Sequence, residues 1–222
     1  MAPNSMAPHP TARFLVVLDV DSTLIENEVI ELLAAAAGSH EKVADITFRA
    51  MNGELDFEAS LRARVATLAG LPESVFGTVA EQICLTDGVR DMIAGVHGAG
   101  GLVGVVSGGF HELVDPIAEE IGLDCWCANR LEVQNGHLTG GLSGPIVDAA
   151  AKARVLREWA QQSNIPLTRT IAVGDGANDL TMMSITGLSV AFDAKAPVRD
   201  EADVIMDVRD LRQLLPLLGL RG

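Results

Sequence analysis

Two carboxylates stand two residues apart at Asp19 and Asp21, followed by Ser22 and Thr23. They come directly after the apolar run Arg13–Leu18, which reads as a buried parallel strand. Ligands of a doubly wound sheet bind outside the carboxyl ends of its strands. Carboxylates so spaced can share a hard cation, or divide the work of nucleophile and acid–base group. An EF-hand loop is excluded, because its sixth position would be Leu24 instead of Gly and its twelfth Ile30 instead of Glu. A solvated turn stays open as the alternative, since Asp, Ser and Thr favour turns through local hydrogen bonds.

Three further clusters carry chemistry. Gly174, Asp175, Gly176, Asn178 and Asp179 follow the apolar run Thr170–Val173. The glycines let backbone approach a ligand closely. Capping by Asp175 is the plain alternative, but a cap needs one Asp. Asp179 also shares a helix face with Met182 and Met183, which is costly for a carboxylate unless it is paired. Ser107, Gly108 and Gly109 follow the run Leu102–Val106 and offer a hydroxyl and backbone N–H groups suited to a phosphate, or a simple turn. Lys152 prolongs the apolar stripe of Val155, Leu156 and Trp159, so its ammonium either snorkels to water or faces the clustered carboxylates.

Arg64 lies on the same helix side as Phe57, Leu61 and Leu68, where a guanidinium needs an anion. That anion is a ligand carboxylate or a structural partner. Other features carry less. Gly98 and Gly100 precede a strand instead of following one, so they form no dinucleotide fingerprint. His9, His40, His97, His111 and His137 have no metal spacing; His111 follows the Ser107–Gly109 loop and could reach the site, but reads rather as a helix-surface residue. Glu58 and Glu73 read as first-turn helix acids.

The elements that must position these groups alternate. Apolar runs end at Leu18, Val106, Val173 and Phe192, and helical patterns cover Phe110–Ile121, Ala149–Gln162 and Ala177–Thr186. Such alternation predicts right-handed βαβ units in an α/β fold with a doubly wound, Rossmann-like parallel sheet. Residues 25–86 break the rhythm with helices over Asn27–Ala37, His40–Met51, Asp56–Ala69 and Pro72–Ile83, predicting a small inserted helical domain. Gly38 and Gly70 fit helix ends, and Pro72 fits a first helical position. Asn135 and Gly136 predict a β-hairpin within residues 131–140. Residues 1–12 read as a flexible tail without an apolar targeting segment.

Composition bounds the function. The chain of 222 residues is 48% hydrophobic, 21% charged and carries a net charge of −14. That apolar content supports a packed core, and the acid excess argues against nucleic acid or an anionic membrane as the main partner. It leaves a small anionic substrate open, because a local site can be positive. Cys84, Cys125 and Cys127 form neither a CxxC pair nor an even framework, which suggests free thiols in a reducing compartment and a cytoplasmic protein.

The strand-end motifs, taken in order, resemble those of the haloacid dehalogenase superfamily, aspartate-nucleophile phosphatases. Asp19, Asp21 and Thr23 match its first motif, Ser107 with Gly108 its second, Lys152 its third, and Gly174 through Asp179 its fourth. Within the superfamily the chain is most similar to the phosphoserine phosphatases. Met51 through Phe57, Ser60 through Val65, and Ala128 through Leu131 with the hairpin read like that family, so the likeness covers about residues 13–215. Val20 stands where the family has Phe, and Val packs equally there.

The resemblance implies a core of residues 13–24 and 87–222 with a helical cap of residues 25–86. It implies Asp19 as nucleophile and Asp21 as acid and base. Mg²⁺ would be held by Asp19, Asp175 and the main-chain carbonyl of Asp21. Ser107, Gly108, Asn178 and Lys152 would hold the phosphoryl group, with Asp179 supporting Lys152 or a metal-bound water. Glu28 and Arg64 would read the ammonium and carboxylate of phosphoserine, with Met51 and Phe57 as apolar walls. The implied activity is the last step of serine biosynthesis, in a monomer or homodimer. Transfer to another alcohol such as homoserine, or action on another small phosphomonoester, are the alternatives. A regulatory N-terminal domain, as in longer relatives, is not expected of a tail far below the ~40 residues that folding alone usually needs.

Overall fold

The computed structural model describes residues 12–51 and 54–220, with the Met51 side chain outside the described set. The flexible tail assigned to residues 1–12 thus lies almost wholly outside the described residues.

Strand β1 (Leu15–Leu18) is buried along its whole length. It pairs in parallel with β2 (Leu102–Phe110) on one side and β6 (Thr170–Gly174) on the other. Strands β3 (Cys125–Asn129), β7 (Leu188–Phe192) and β8 (Val204–Met206) extend the sheet, whose order is β3-β2-β1-β6-β7-β8. Every pair in it is parallel. Side chains of β1 alternate between two cores, as the two-residue strand period requires. Leu15 and Val17 pack with Trp159 and Leu156 of α7 (Ala149–Gln162). Val16 and Leu18 face Met92 and Val96 of α5 (Val89–Gly98) and Leu113 of α6 (His111–Ile121). The outcome is a three-layer α/β fold.

The insert after β1 carries α1 (Val29–Ala36), α2 (His40–Met51), α3 (Phe57–Ala66) and α4 (Val75–Ala80). Asp56 caps α3 by accepting from the Ala59 N–H at 2.7 Å. The chain leaves and rejoins the sheet side by side. Ile25 bridges Leu85, the Glu26 N–H donates to the Cys84 carbonyl at 2.9 Å, and the Thr86 N–H donates to the Leu24 carbonyl at 3.0 Å. The hairpin β4 (Leu131–Gln134) and β5 (His137–Leu142) turns through Asn135 (φ 54°) and Gly136 (φ 75°), the left-handed pair that a two-residue type I′ turn demands. It also fastens the insert: the Gly70 N–H donates to Leu138, the Leu138 N–H to Leu71, and the Glu73 N–H to Gly136, each at 2.8 Å.

Several elements differ from their sequence signals. Strand β2 runs on through Ser107, Gly108 and Gly109 to Phe110, with a register shift against β3. The phosphate-loop candidates are therefore an extended, bulged strand end, not the first turn of a helix. The pattern over Ala177–Thr186 splits into a 3₁₀ turn (Ala177–Asp179) and the short α8 (Leu180–Met183). Helix α1 starts at Val29, which leaves Glu28 in extended backbone just before it. The sheet also gains β3 and β8 at its two edges.

Trp159 is fully buried against the face of β2, where a side chain at Gly104 would sit 3.1 Å from the indole ring. Trp159→Ala is expected to lower stability by about 3–5 kcal/mol through a cavity the sheet cannot collapse into. Urea unfolding of the two proteins checks this.

Candidate active site

The site forms where β1 and β6, side by side in the sheet, both end. Asp19 caps the turn after β1: its Oδ1 accepts from the Val20 N–H at 2.7 Å. Its other oxygen faces α7. The Lys152 ammonium lies 2.7 Å from Asp19 Oδ2 and 2.7 Å from Asp179 Oδ1, and all three side chains are buried. Asp148 starts α7 by accepting from the Ala151 N–H, so the helix places Lys152 in its first turn, on the stripe of Val155 and Trp159. Of the two readings of that stripe, the inward one holds: the ammonium is a buried ion-pair centre.

Asp179 is fixed from two sides. Its Oδ1 accepts from Lys152, and its Oδ2 accepts from the Gly176 N–H at 3.2 Å. The carboxylate fills the space that a Cβ on Gly174 would need, which explains the glycine at that strand end. Burial, and then the charge on Asp19, push the Asp179 carboxyl up to about 7, with Lys152 pulling against them. Burial opposes the Lys152 charge, but the two carboxylates outweigh it and hold the ammonium above its ordinary range. Asn178 reaches Asp19 Oδ2 through its Nδ2 at 3.5 Å.

Asp19, Asp175 and Asp179 each offer an oxygen within 4.8 Å of the others. Lys152 serves Asp19 and Asp179, whereas among the described residues Asp175 has only the largely exposed Lys195 as a cation partner, at 3.7 Å. Three buried carboxylates around one buried ammonium leave excess negative charge, and their hard oxygen donors fit a divalent cation. Burial, then the Asp19 charge, push the Asp175 carboxyl up, as expected of a site lacking positive charge. Asp21 contributes no side-chain oxygen to this group.

Asp21 has a separate hydrogen-bond partner. Its Oδ1 accepts from the Val29 N–H at 3.3 Å, at the start of α1. Burial raises this carboxyl well above its ordinary value, and the charges of Glu28 and Asp19 raise it further. The next residue, Ser22, has φ 57°, a left-handed conformation uncommon for a residue with a Cβ. Its hydroxyl donates to Glu28 Oε1 at 2.8 Å. Glu28 is itself raised by burial, against the Ser22 hydrogen bond.

The strand end of β2 closes the site. Ser107 Oγ accepts from the Gly109 N–H at 2.8 Å, and a Cβ on Gly109 would lie 3.4 Å from Asp21 Oδ2. A Cβ on Gly108 would lie 3.2 Å from the Phe57 ring, so this aromatic of α3 lies directly over the glycine. Arg64 is half-buried on the same helix, and its Nε donates to the Ser60 carbonyl at 3.4 Å. Burial lowers the guanidinium pKa, while Glu28, Asp21 and Glu31 draw it back up. Among the described residues Arg64 has no ion pair, so its charge is available to a ligand anion. Met51 closes α2, but its side chain lies outside the described residues.

Two supporting residues escaped the sequence reading. Asn129 is buried, donates to the Gly108 carbonyl at 2.8 Å and accepts from the Val147 N–H at 2.8 Å. His111 is a network residue instead of a surface one. Its ring bonds Asp115 at 2.6 Å and accepts from the Ala128 N–H at 3.2 Å. A buried Asn beside an apolar run was the available signal for the first; the second depends on contacts distant in sequence.

Comparison with known proteins places the chain in a family. The family of haloacid dehalogenase-like hydrolases matches residues 16–184. The phosphoserine phosphatase of Lactococcus lactis is 48% identical over 92% of this chain and 94% of its own length. That of Streptomyces coelicolor is 52% identical over 96% of this chain, which spans only 52% of the longer relative. A solved phosphoserine phosphatase with an analogue of its phospho-aspartyl intermediate superposes with a TM-score of 0.87 at 41% identity, covering 95% of this chain and 100% of that one. With strand-end carboxylates, a buried lysine and likeness along nearly the whole Lactococcus relative together, the chain belongs to the haloacid dehalogenase-like hydrolases, in the family of the phosphoserine phosphatases.

Proposed function

We propose that the chain hydrolyses O-phospho-L-serine to L-serine and phosphate through an aspartyl-phosphate, the closing step of serine biosynthesis in the cytoplasm. The observation that carries the reading is the buried Lys152 held between Asp19 and Asp179, with Asp175 alongside and Asp21 near enough to feel the charges of Asp19 and Lys152. Residues 25–86 act as a cap on a core formed by residues 13–24 and 87–222. A substrate-bound phosphoserine phosphatase superposes on 94% of the chain with a TM-score of 0.86 and supports this reading.

Asp19 attacks phosphorus with its carboxylate oxygen as the serine oxygen leaves, forming an acyl phosphate. Asp21, whose environment favours the protonated form, gives its proton to that oxygen. The resulting Asp21 carboxylate then takes a proton from the water that attacks the aspartyl-phosphate, releasing phosphate and restoring both groups. Lys152, Asn178, Ser107 and the Gly108 N–H hold the phosphoryl oxygens, and Asp179 orients Lys152. A magnesium ion held by Asp19, Asp175 and the Asp21 carbonyl would neutralise phosphoryl charge as the nucleophile approaches. Glu28 pairs with the substrate ammonium and Arg64 with its carboxylate, while Met51 and Phe57 wall the site against water.

Phosphate release from phosphoserine is expected to exceed release from other phosphomonoesters and to vanish in EDTA. Activity on other esters alone would retain Asp19 chemistry and discard the roles of Glu28 and Arg64. Asp19→Asn should fold normally and lose about 10³-fold or more in kcat; near-normal turnover by the folded variant would eliminate the covalent route. Arg64→Met should lower kcat/KM for phosphoserine by about 10–100-fold, the worth of a charge-assisted pair, and barely change that for phosphoethanolamine, which has no carboxylate. Parallel kinetics on the two esters check it.

A further inference from the structure

The strained turn between Asp21 and Glu28 is held from outside the site. Ser22, at φ 57°, must keep its left-handed conformation for Asp21 to point one way and the Ser22 hydroxyl to meet Glu28. A non-glycine residue adopts such a conformation only where its surroundings compensate the strain. Its N–H donates to the Asn27 carbonyl at 3.3 Å, within the same loop. Its carbonyl is taken by a residue 187 positions away: Arg209 Nη2 donates to it at 3.2 Å.

Arg209 belongs to the segment that follows β8. Its second arm, Nη1, lies 2.9 Å from Asp193 Oδ2, and its guanidinium carbon sits 5.8 Å from the centre of the Phe192 ring. Asp193, directly after β7, is another left-handed non-glycine residue, at φ 43°. Two positions beyond it, the Lys195 N–H donates to the Asp175 carbonyl at 3.0 Å. One planar fork therefore ties the loop that bears Asp21 to the loop that braces Asp175. An arginine can do this because its donors are rigidly arranged; a single ammonium lacks the geometry.

We propose that Arg209 is a positioning residue for the reaction: it holds the Ser22 turn and so aims the Asp21 carboxyl at the leaving oxygen, without touching substrate. This rests on the reading of Asp21 as the acid. The distinguishing readout is dependence on the leaving group. Serine leaves as an alkoxide that needs the Asp21 proton, whereas nitrophenolate leaves without one.

First-turnover rates at saturating O-phosphoserine and p-nitrophenyl phosphate are measured for wild type, Arg209→Ala and Asp21→Asn, with melting temperatures alongside. Arg209→Ala is expected to slow the phosphoserine reaction about 10–100-fold, the scale of small misplacements of a reacting group, and to leave the aryl ester near wild type. Asp21→Asn should show the same selectivity more strongly. Equal losses on both esters for Arg209→Ala, beside a selective Asp21→Asn, would overturn the inference and leave the acid assignment standing. Equal losses for Asp21→Asn would remove that assignment and the inference with it. Should Arg209→Ala fail to fold, Arg209→Lys keeps the charge over Phe192 but not the fork, and must still show a selective, smaller loss; an unselective one overturns the proposal.

Discussion

A buried ammonium shared by two buried carboxylates organises this molecule. Asp19 and Asp179 together compensate the burial of the Lys152 ammonium, and a buried charge left with no partner at all costs several kcal/mol. The constraint reaches far. It requires α7 to start at Asp148 so that its first turn faces the sheet. It requires Gly174, since any side chain there would displace Asp179. It also requires β1 and β6 to be neighbours, because the carboxylates come from the ends of these two strands. The parallel sheet is in this sense the means by which residues 19, 152 and 179 share one small volume.

The same arrangement separates two carboxylates that stand only two residues apart. Asp19 is tied to an ammonium and to a backbone N–H. Asp21 has one long hydrogen bond from Val29 and lies near the charges of Glu28 and Asp19. The proposed division of labour between them rests on which partners the turn offers each, since the chemical group is identical.

Legibility in the sequence followed the range of the interactions. Lys152 could be read because a helical period of apolar residues brings it inward, and Asp179 because a carboxylate beside Met182 and Met183 calls for a partner. Strand β1 was plain from its unbroken apolar run. Strand β3 was not, since Cys125, Trp126, Cys127, Ala128 and Asn129 contain no β-branched residue, and β8 spans only Val204–Met206. Helix α8 is shorter than its sequence pattern because periodicity does not distinguish a 3₁₀ turn from an α-helix. Glu28 falls within a helical sequence pattern but precedes the helix by one residue, and its contact with Ser22 depends on a left-handed turn no local pattern announces. Arg209 lay wholly beyond such reading, as its partners are Ser22 and Asp193 in other loops.

The hairpin of β4 and β5 gives the insert a second attachment besides the paired strands at Ile25 and Leu85. Three backbone hydrogen bonds join it to residues 70–73, and Gly140 packs so closely on α3 that a Cβ there would press on Ala66 and Ala69. Any swing of the helices away from the sheet must therefore either break those bonds or take the hairpin along. The mechanical unit is then discontinuous along the chain: four helices and a distant β-ribbon travel together, and the flexing has to be absorbed both at the neck and where the ribbon rejoins Arg130 and Ser143.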